Sequence, residues 1–401
     1  MTIYLNHMGV TCGLGSGADA VREALWSSGP GEAVRGGEVT DCYTPGRLLH
    51  LGTVRTPLSG ADVPVSSALS RRSRNNALLL HTLAQIRGAV NQAIANVDPV
   101  RVAIVLGTST SGIGESERAV QARARDGAWP DRFDYGQQEL GSPAQCLAEV
   151  LGTAGPAYTL STACSSSAKA MASAARLLEH GMADVVIAGG VDTLCSFTIA
   201  GFSALESVSA TRCNPFSANR KGINLGEGAA LFLMTRNAGP VRLAGWGETS
   251  DAYHISAPNP AGIGARAAME QALARAGIDA AAIDYLNLHG TATEQNDAME
   301  SHAVAAVLGE NVPVSSTKPM TGHTLGAAGA IEAALLWLTL TDNPHGRLPV
   351  HWWDGVADPS LAPLHMVGLG ESLGRAPRYA MSNSFAFGGS NCSLILGEGQ
   401  A

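Results

Sequence analysis

Short apolar runs alternate with alanine-rich helical stretches along most of this chain, the pattern of buried strands separated by helices. The run Val102-Ala-Ile-Val-Leu106 stops at Gly107, and Ala183-Asp-Val-Val-Ile-Ala188 stops at Gly189-Gly190 in the same way. Both predict buried strands ended by glycine, and Tyr285-Leu-Asn-Leu288 reads alike. Helical periodicity is clearest over Ser165–Glu179, Arg266–Ala276 and Ala327–Leu340. The last stretch carries Glu332 and is shorter than the roughly 20 residues that span a bilayer, so it predicts a buried core helix. The fold class is α/β.

A faint internal repeat runs through this pattern. Val105-Leu-Gly-Thr-Ser-Thr110 echoes Leu288-His-Gly-Thr-Ala-Thr293, each a strand followed by a Gly-Thr-x-Thr turn. Each is followed by an apolar run, a Ser-Thr pair (within Thr159–Thr162 and Val314–Thr317) and a long helix. The distance is longer in the first copy, which implies an insertion near 115–147. Two duplicated halves are predicted, 1–238 and 239–401, joined near 236–242 without a Pro/Ser-rich linker.

Composition narrows the class. Hydrophobic residues make up 45% of the 401 residues and charged residues 15%, which calls for a large layered core rather than disorder. A net charge of -8 gives no reason to invoke nucleic acid. The start Met1-Thr-Ile-Tyr-Leu-Asn-His7 lacks a basic stretch followed by an apolar run, so no signal peptide is expected. Seven cysteines, with no C-x-x-C pair, suit reduced thiols in a cytoplasmic protein better than disulfides or a zinc site.

The candidate chemistry lies in small-residue loops. Cys164, in Ser161-Thr-Ala-Cys164-Ser-Ser-Ser, follows a predicted strand and opens a helix, whose positive end favours thiolate. His289 opens a Gly-Thr turn at a strand end, where α/β sites form. His323 closes Lys318-Pro-Met-Thr-Gly-His323, among Gly322, Gly326 and Gly329. A thiol carries an acyl group as a thioester, and paired imidazoles steady the charge of a decarboxylating partner. A metal is not expected, because no carboxylate or cysteine stands at ligand spacing around both histidines. The other six cysteines and nine histidines have no such setting and read as structural or surface groups.

With Thr-Ala-Cys164, His289-Gly-Thr, Lys318 to His323 and Phe387-Gly-Gly in this order over nearly the whole length, the chain resembles the β-ketoacyl-acyl-carrier-protein synthases. The resemblance implies the thiolase fold, two duplicated βαβαβαββ halves in a five-layer α-β-α-β-α sandwich, and normally a dimer. It implies Cys164 as the nucleophile that takes an acyl chain from carrier-protein phosphopantetheine, with the N–H groups of Cys164 and Phe387 as oxyanion hole. His289 and His323 would bind the malonyl thioester and promote loss of CO₂, Lys318 would supply positive charge, and Glu300 would brace Lys318 and its loop. No cofactor is implied beyond the phosphopantetheine of the acyl carrier protein, and the dimer is either a homodimer or a pair with a chain-length-factor-like homologue.

Departures from the family pattern point to the acyl pocket and gate: Ala386 before Phe387 where Gly is usual, Lys221 and Ile223 where Asp and Phe are usual, and Thr110 where a larger apolar group is common. Phe133-Asp-Tyr-Gly-Gln-Gln138 and Arg71-Arg-Ser-Arg-Asn-Asn76 resemble the synthases of aryl-polyene pigment clusters. Specialised polyene or polyketide elongation is therefore expected, ahead of housekeeping fatty acid elongation or a thiolase-type coenzyme A acyltransferase. A non-catalytic partner subunit is disfavoured by Cys164, and a cysteine hydrolase would need a wet site. Arg71, Arg72 and Arg74 are a candidate docking patch for an acidic carrier protein.

Overall fold

A computed structural model describes residues 2–26, 36–58 and 68–399. Eleven strands form the path of the main sheet: β1 (Ile3–Cys12), β2 (Val102–Gly107), β3 (Ala157–Leu160), β4 (Val185–Asp192), β5 (Gly228–Thr235), β6 (Val241–Ser250), β7 (Tyr285–Asn287), β8 (Pro313–Ser315), β9 (His365–Met366), β10 (Tyr379–Ala386) and β11 (Ser390–Glu398). Their spatial order, β9-β8-β7-β10-β11-β6-β1-β5-β4-β2-β3, contains one arrangement twice. Strands β3-β2-β4-β5-β1 repeat as β8-β7-β10-β11-β6, with the same senses: two parallel pairings, then two antiparallel ones. The two copies meet at a short antiparallel seam, where Ile3, Tyr4 and Leu5 of β1 face Leu243, Arg242 and Val241 of β6.

Helices fill three further layers. On one outer face α1 (Arg74–Ala84) and α2 (Ser142–Leu151) pack on the first copy; on the other, α4 (Ile263–Ala276) and α5 (Glu294–Leu308) cover the second. Between the copies lie α3 (Ser166–Glu179) and α6 (Ala328–Leu340), which contact each other and strands of both copies. This is the expected α-β-α-β-α sandwich. The middle layer is thin because its residues are small: a side chain on Gly329 would stand 2.7 Å from the Ala168 methyl. Glu332 faces inward on α6 and is buried, as a core helix requires.

Two boundaries differ from the sequence expectation. Gly189-Gly190 does not end β4, which runs on to Asp192. A Cβ on Gly189 would lie 2.0 Å from the Ala230 carbonyl oxygen of the paired strand, and one on Gly190 2.6 Å from the Ser167 side chain. These glycines permit close packing rather than a turn. Residues 142–147 belong to α2, on the outer face, so the extra material of the first copy is the helix Ile113–Asp126 and the turns after it.

Candidate active site

The thiol, both imidazoles and the lysine, far apart in sequence, meet at one end of the middle layer. The chain leaves β3, crosses Ala163 at φ +50° and presents Cys164 two residues before α3 begins. A left-handed non-glycine residue is strained, and such strain persists only where neighbours over-determine it. Here Ser166 Oγ donates to the Ala163 carbonyl at 2.5 Å. His289 follows β7, with its backbone N–H and that of Gly290 donating to Glu300 Oε1 and Oε2, both at 2.7 Å. His323 is clasped through its backbone by Asn224 and Gly226.

Cys164 Sγ lies 3.0 Å from His323 Nε2, and the two imidazoles meet edge to face at 5.4 Å between centroids. Sγ and one nitrogen of each ring fall within 4.8 Å of one another. Burial pushes the Cys164 thiol up to about 12, against the lowering by Lys318 and by the backbone N–H groups of Phe387 and Cys164 itself. The resting group is therefore a thiol: desolvation outweighs the helix terminus expected to favour thiolate. Burial, then Lys318, holds His289 and His323 well below the usual imidazole range, so both are neutral.

Lys318 is 2% exposed, and its Nζ donates to the His289 carbonyl and to Glu332 Oε1, each at 2.5 Å. Glu332 is therefore the carboxylate that pairs with Lys318, a role the sequence reading did not give it. Glu300 braces the His289 loop but forms no ion pair with Lys318, because both its oxygens are taken by the turn's amides and by Asn296 and Asn383. The signal for Glu332 was present: it is the one charged residue in an apolar helix.

A cavity of about 600 Å³ opens over the thiol, lined by Ile223, Phe385, Ala386 and Phe387 as well as both histidines. Phe387 packs on Phe202 at 5.7 Å. Ala386 has ordinary extended dihedrals, φ -98° and ψ 157°, so alanine fits there without strain, while Gly388 and Gly389 take φ +80° and +72°. Thr110 does not line this cavity. Its hydroxyl and backbone N–H both donate to Asp192 at 2.8 Å, so the expected pocket residue is a strut.

The arginine cluster is also different from the expectation. Arg74 pairs with the buried Glu227 at 2.6 Å and Arg71 with Glu149 at 3.0 Å. Guanidinium groups already matched by carboxylates project little field toward a partner, so Arg71 and Arg74 do not add to an open cationic patch. No described helix is long and apolar enough to cross a membrane.

Comparison with known proteins agrees with this geometry. Residues 74–238 match the N-terminal domain of beta-ketoacyl synthases and residues 241–346 the C-terminal domain. A ketosynthase from Xenorhabdus doucetiae, solved in complex with its chain length factor, is 45% identical, with a TM-score of 0.90 over 99% of this chain and 98% of that one. A beta-ketoacyl synthase from Burkholderia phymatum is 28% identical, with a TM-score of 0.85 over 99% of both chains. The 3-oxoacyl-[acyl-carrier-protein] synthase 2 of Rhizobium meliloti is 38% identical over 269 residues, 60% of this chain. The match spans 61% of that relative, less than two thirds of its length. With both domains matched in order and a relative of 45% identity aligned end to end, the chain belongs to the beta-ketoacyl synthase family.

Proposed function

We propose that this chain is a decarboxylating condensing enzyme that lengthens an acyl chain by two carbons. The observation that carries the reading is the thiol 3.0 Å from a neutral imidazole, beside a second neutral imidazole and at the floor of the cavity. In the first half-reaction the Cys164 proton passes to His323 Nε2 as sulfur attacks the carrier-bound thioester. The N–H groups of Cys164 and Phe387 hold the oxyanion, and the phosphopantetheine thiolate leaves, taking the proton. In the second, the Nε2–H of His289 holds the malonyl thioester oxygen, with His323 beside it, while the carbon–carboxylate bond breaks and CO₂ departs. The enolate carbon attacks the Cys164 thioester, sulfur leaves and takes up one proton from solvent, and a 3-ketoacyl thioester results. Buried Lys318, paired with Glu332, favours neutral imidazoles, the form that donates without losing a proton.

The reading needs no metal: an ion held by Cys164, His289 and His323 would occupy the sulfur that the acyl group requires. The partners proposed are an acyl carrier protein and a second synthase subunit, either another copy or a chain-length-factor-like homologue. The product class proposed is a specialised polyene or polyketide chain; the likeness to the Xenorhabdus ketosynthase, whose structure contains such a factor, supports it. The domain division proposed is 1–238 and 239–401. Incubation with an acyl-carrier thioester is expected to add one acyl mass to the protein and none to Cys164→Ala. An unchanged adduct on that variant would overturn the nucleophile assignment.

A further inference from the structure

Asp192, at the end of β4, has no part in the chemistry above, yet it is fully buried and surrounded by donors. Thr108 Oγ1 at 2.6 Å, Ser109 N at 2.9 Å, Thr110 N and Thr110 Oγ1 both at 2.8 Å, and Gly326 N at 2.6 Å all donate to its carboxylate. Thr108, Ser109 and Thr110 form the turn after β2. Ser109 Oγ reaches the carbonyl of Ala163, the strained residue before the thiol, at 3.5 Å. Gly326 lies three residues after His323, and between them Leu325 sits at φ +51°. A Cβ on Gly326 would come within 2.8 Å of Asp192 Oδ2 and 2.7 Å of Ser109 N. The glycine is required because the carboxylate lies directly against the backbone.

From this arrangement we infer that Asp192 is a positioning residue for acyl transfer: it ties the loop behind Cys164 to the loop carrying His323 and so fixes the thiol–imidazole distance. Two left-handed non-glycine residues, Ala163 and Leu325, flank the reacting pair, one on each side of the tie. Strain of that kind relaxes unless surrounding bonds hold it. Among the described residues, Asp192 is the one group that bonds the Leu325–Gly326 turn and, through Ser109, reaches Ala163 as well.

The inference rests on the acyl-transfer reading and is tested by two rates measured per folded molecule. These are single-turnover acylation of Cys164 by an acyl-carrier thioester, with kcat and KM separated, and alkylation of Cys164 by iodoacetamide across a pH series. Asp192→Asn keeps the shape but presents an amide N–H to at least one donor. It is expected to slow acylation about a hundredfold, with KM nearly unchanged and the alkylation pH profile displaced. Thr108→Val and Thr110→Val each remove one hydroxyl donor and should slow acylation about fivefold. A lower Tm with wild-type rates and pH profile would make Asp192 merely structural and sink the inference. Should Asp192→Asn fail to fold, wild-type rates in the folded Thr108→Val/Thr110→Val double variant would overturn it equally. If the wild-type protein accepts no acyl group while iodoacetamide still alkylates Cys164, acyl transfer is the reading that fails; altered alkylation in Asp192→Asn still tests the tie.

Discussion

The turn after β2 and the turn after β7 have the same sequence logic, Gly107-Thr-Ser-Thr110 and Gly290-Thr-Ala-Thr293, and occupy equivalent places in the two copies. Each is caught by one buried carboxylate that accepts its backbone N–H groups: Asp192 from the neighbouring strand β4 in the first, Glu300 from α5 in the second. They differ in what the captured turn does. The second turn presents His289 to the cavity, whereas the first presents nothing to it and instead shares its carboxylate, Asp192, with the N–H of Gly326. Duplication has kept the holding device in both copies and put the reacting imidazole in only one. A repeated backbone need not carry repeated chemistry.

The comparison is sharpened most by Glu300→Ala, which leaves the buried amides of His289 and Gly290 without their acceptor. Two orphaned donors are worth about 3 kcal/mol or more of stability, read as a shift in urea midpoint. Malonyl decarboxylation should fall further than Cys164 acylation, the reverse of the Asp192→Asn pattern. Equal loss of both half-reactions in both variants would erase the distinction between the turns.

Gly326→Ala should cost about 1–3 kcal/mol, because the added methyl enters a space already filled by Asp192 and Ser109. Thermal denaturation with an acylation assay checks it.

The smallest expected effect is on pH dependence. Burial raises the Glu300 carboxyl from 4.5 to about 7. Between those values the folded state still holds a proton that the unfolded chain has lost, so this group's contribution is present below about pH 4.5 and fades as pH rises through 7. Urea midpoints of Glu300→Gln at pH 5 and pH 7.5 should differ less than those of the wild type.

Cys164, His289 and His323 were legible in the sequence because each sits in a short stretch of small residues whose composition needs no tertiary partner to be read, and Lys318 because it shares one short motif with His323. The strands around them were legible for the same local reason. Partnerships were not. Nothing near Arg74 in sequence announces Glu227, 153 residues away, so a neutralised guanidinium reads like an exposed one. Thr110 looks like a pocket wall until Asp192, 82 residues on, claims both its N–H and its hydroxyl. Gly189 and Gly190 read as punctuation because the strand and helix pressing on them come from elsewhere in the chain.

The contact between Gly329 and Ala168 has a mechanical consequence. Cys164 and His323 belong to opposite copies, and α3 and α6, which follow them, are the spacer between those copies. The thickness of that spacer is set where two nearly bare backbones touch. The middle layer thus works as a ruler for the reacting gap: one additional methyl at either position would be transmitted, through rigid helices, to the separation of sulfur and nitrogen at the far end.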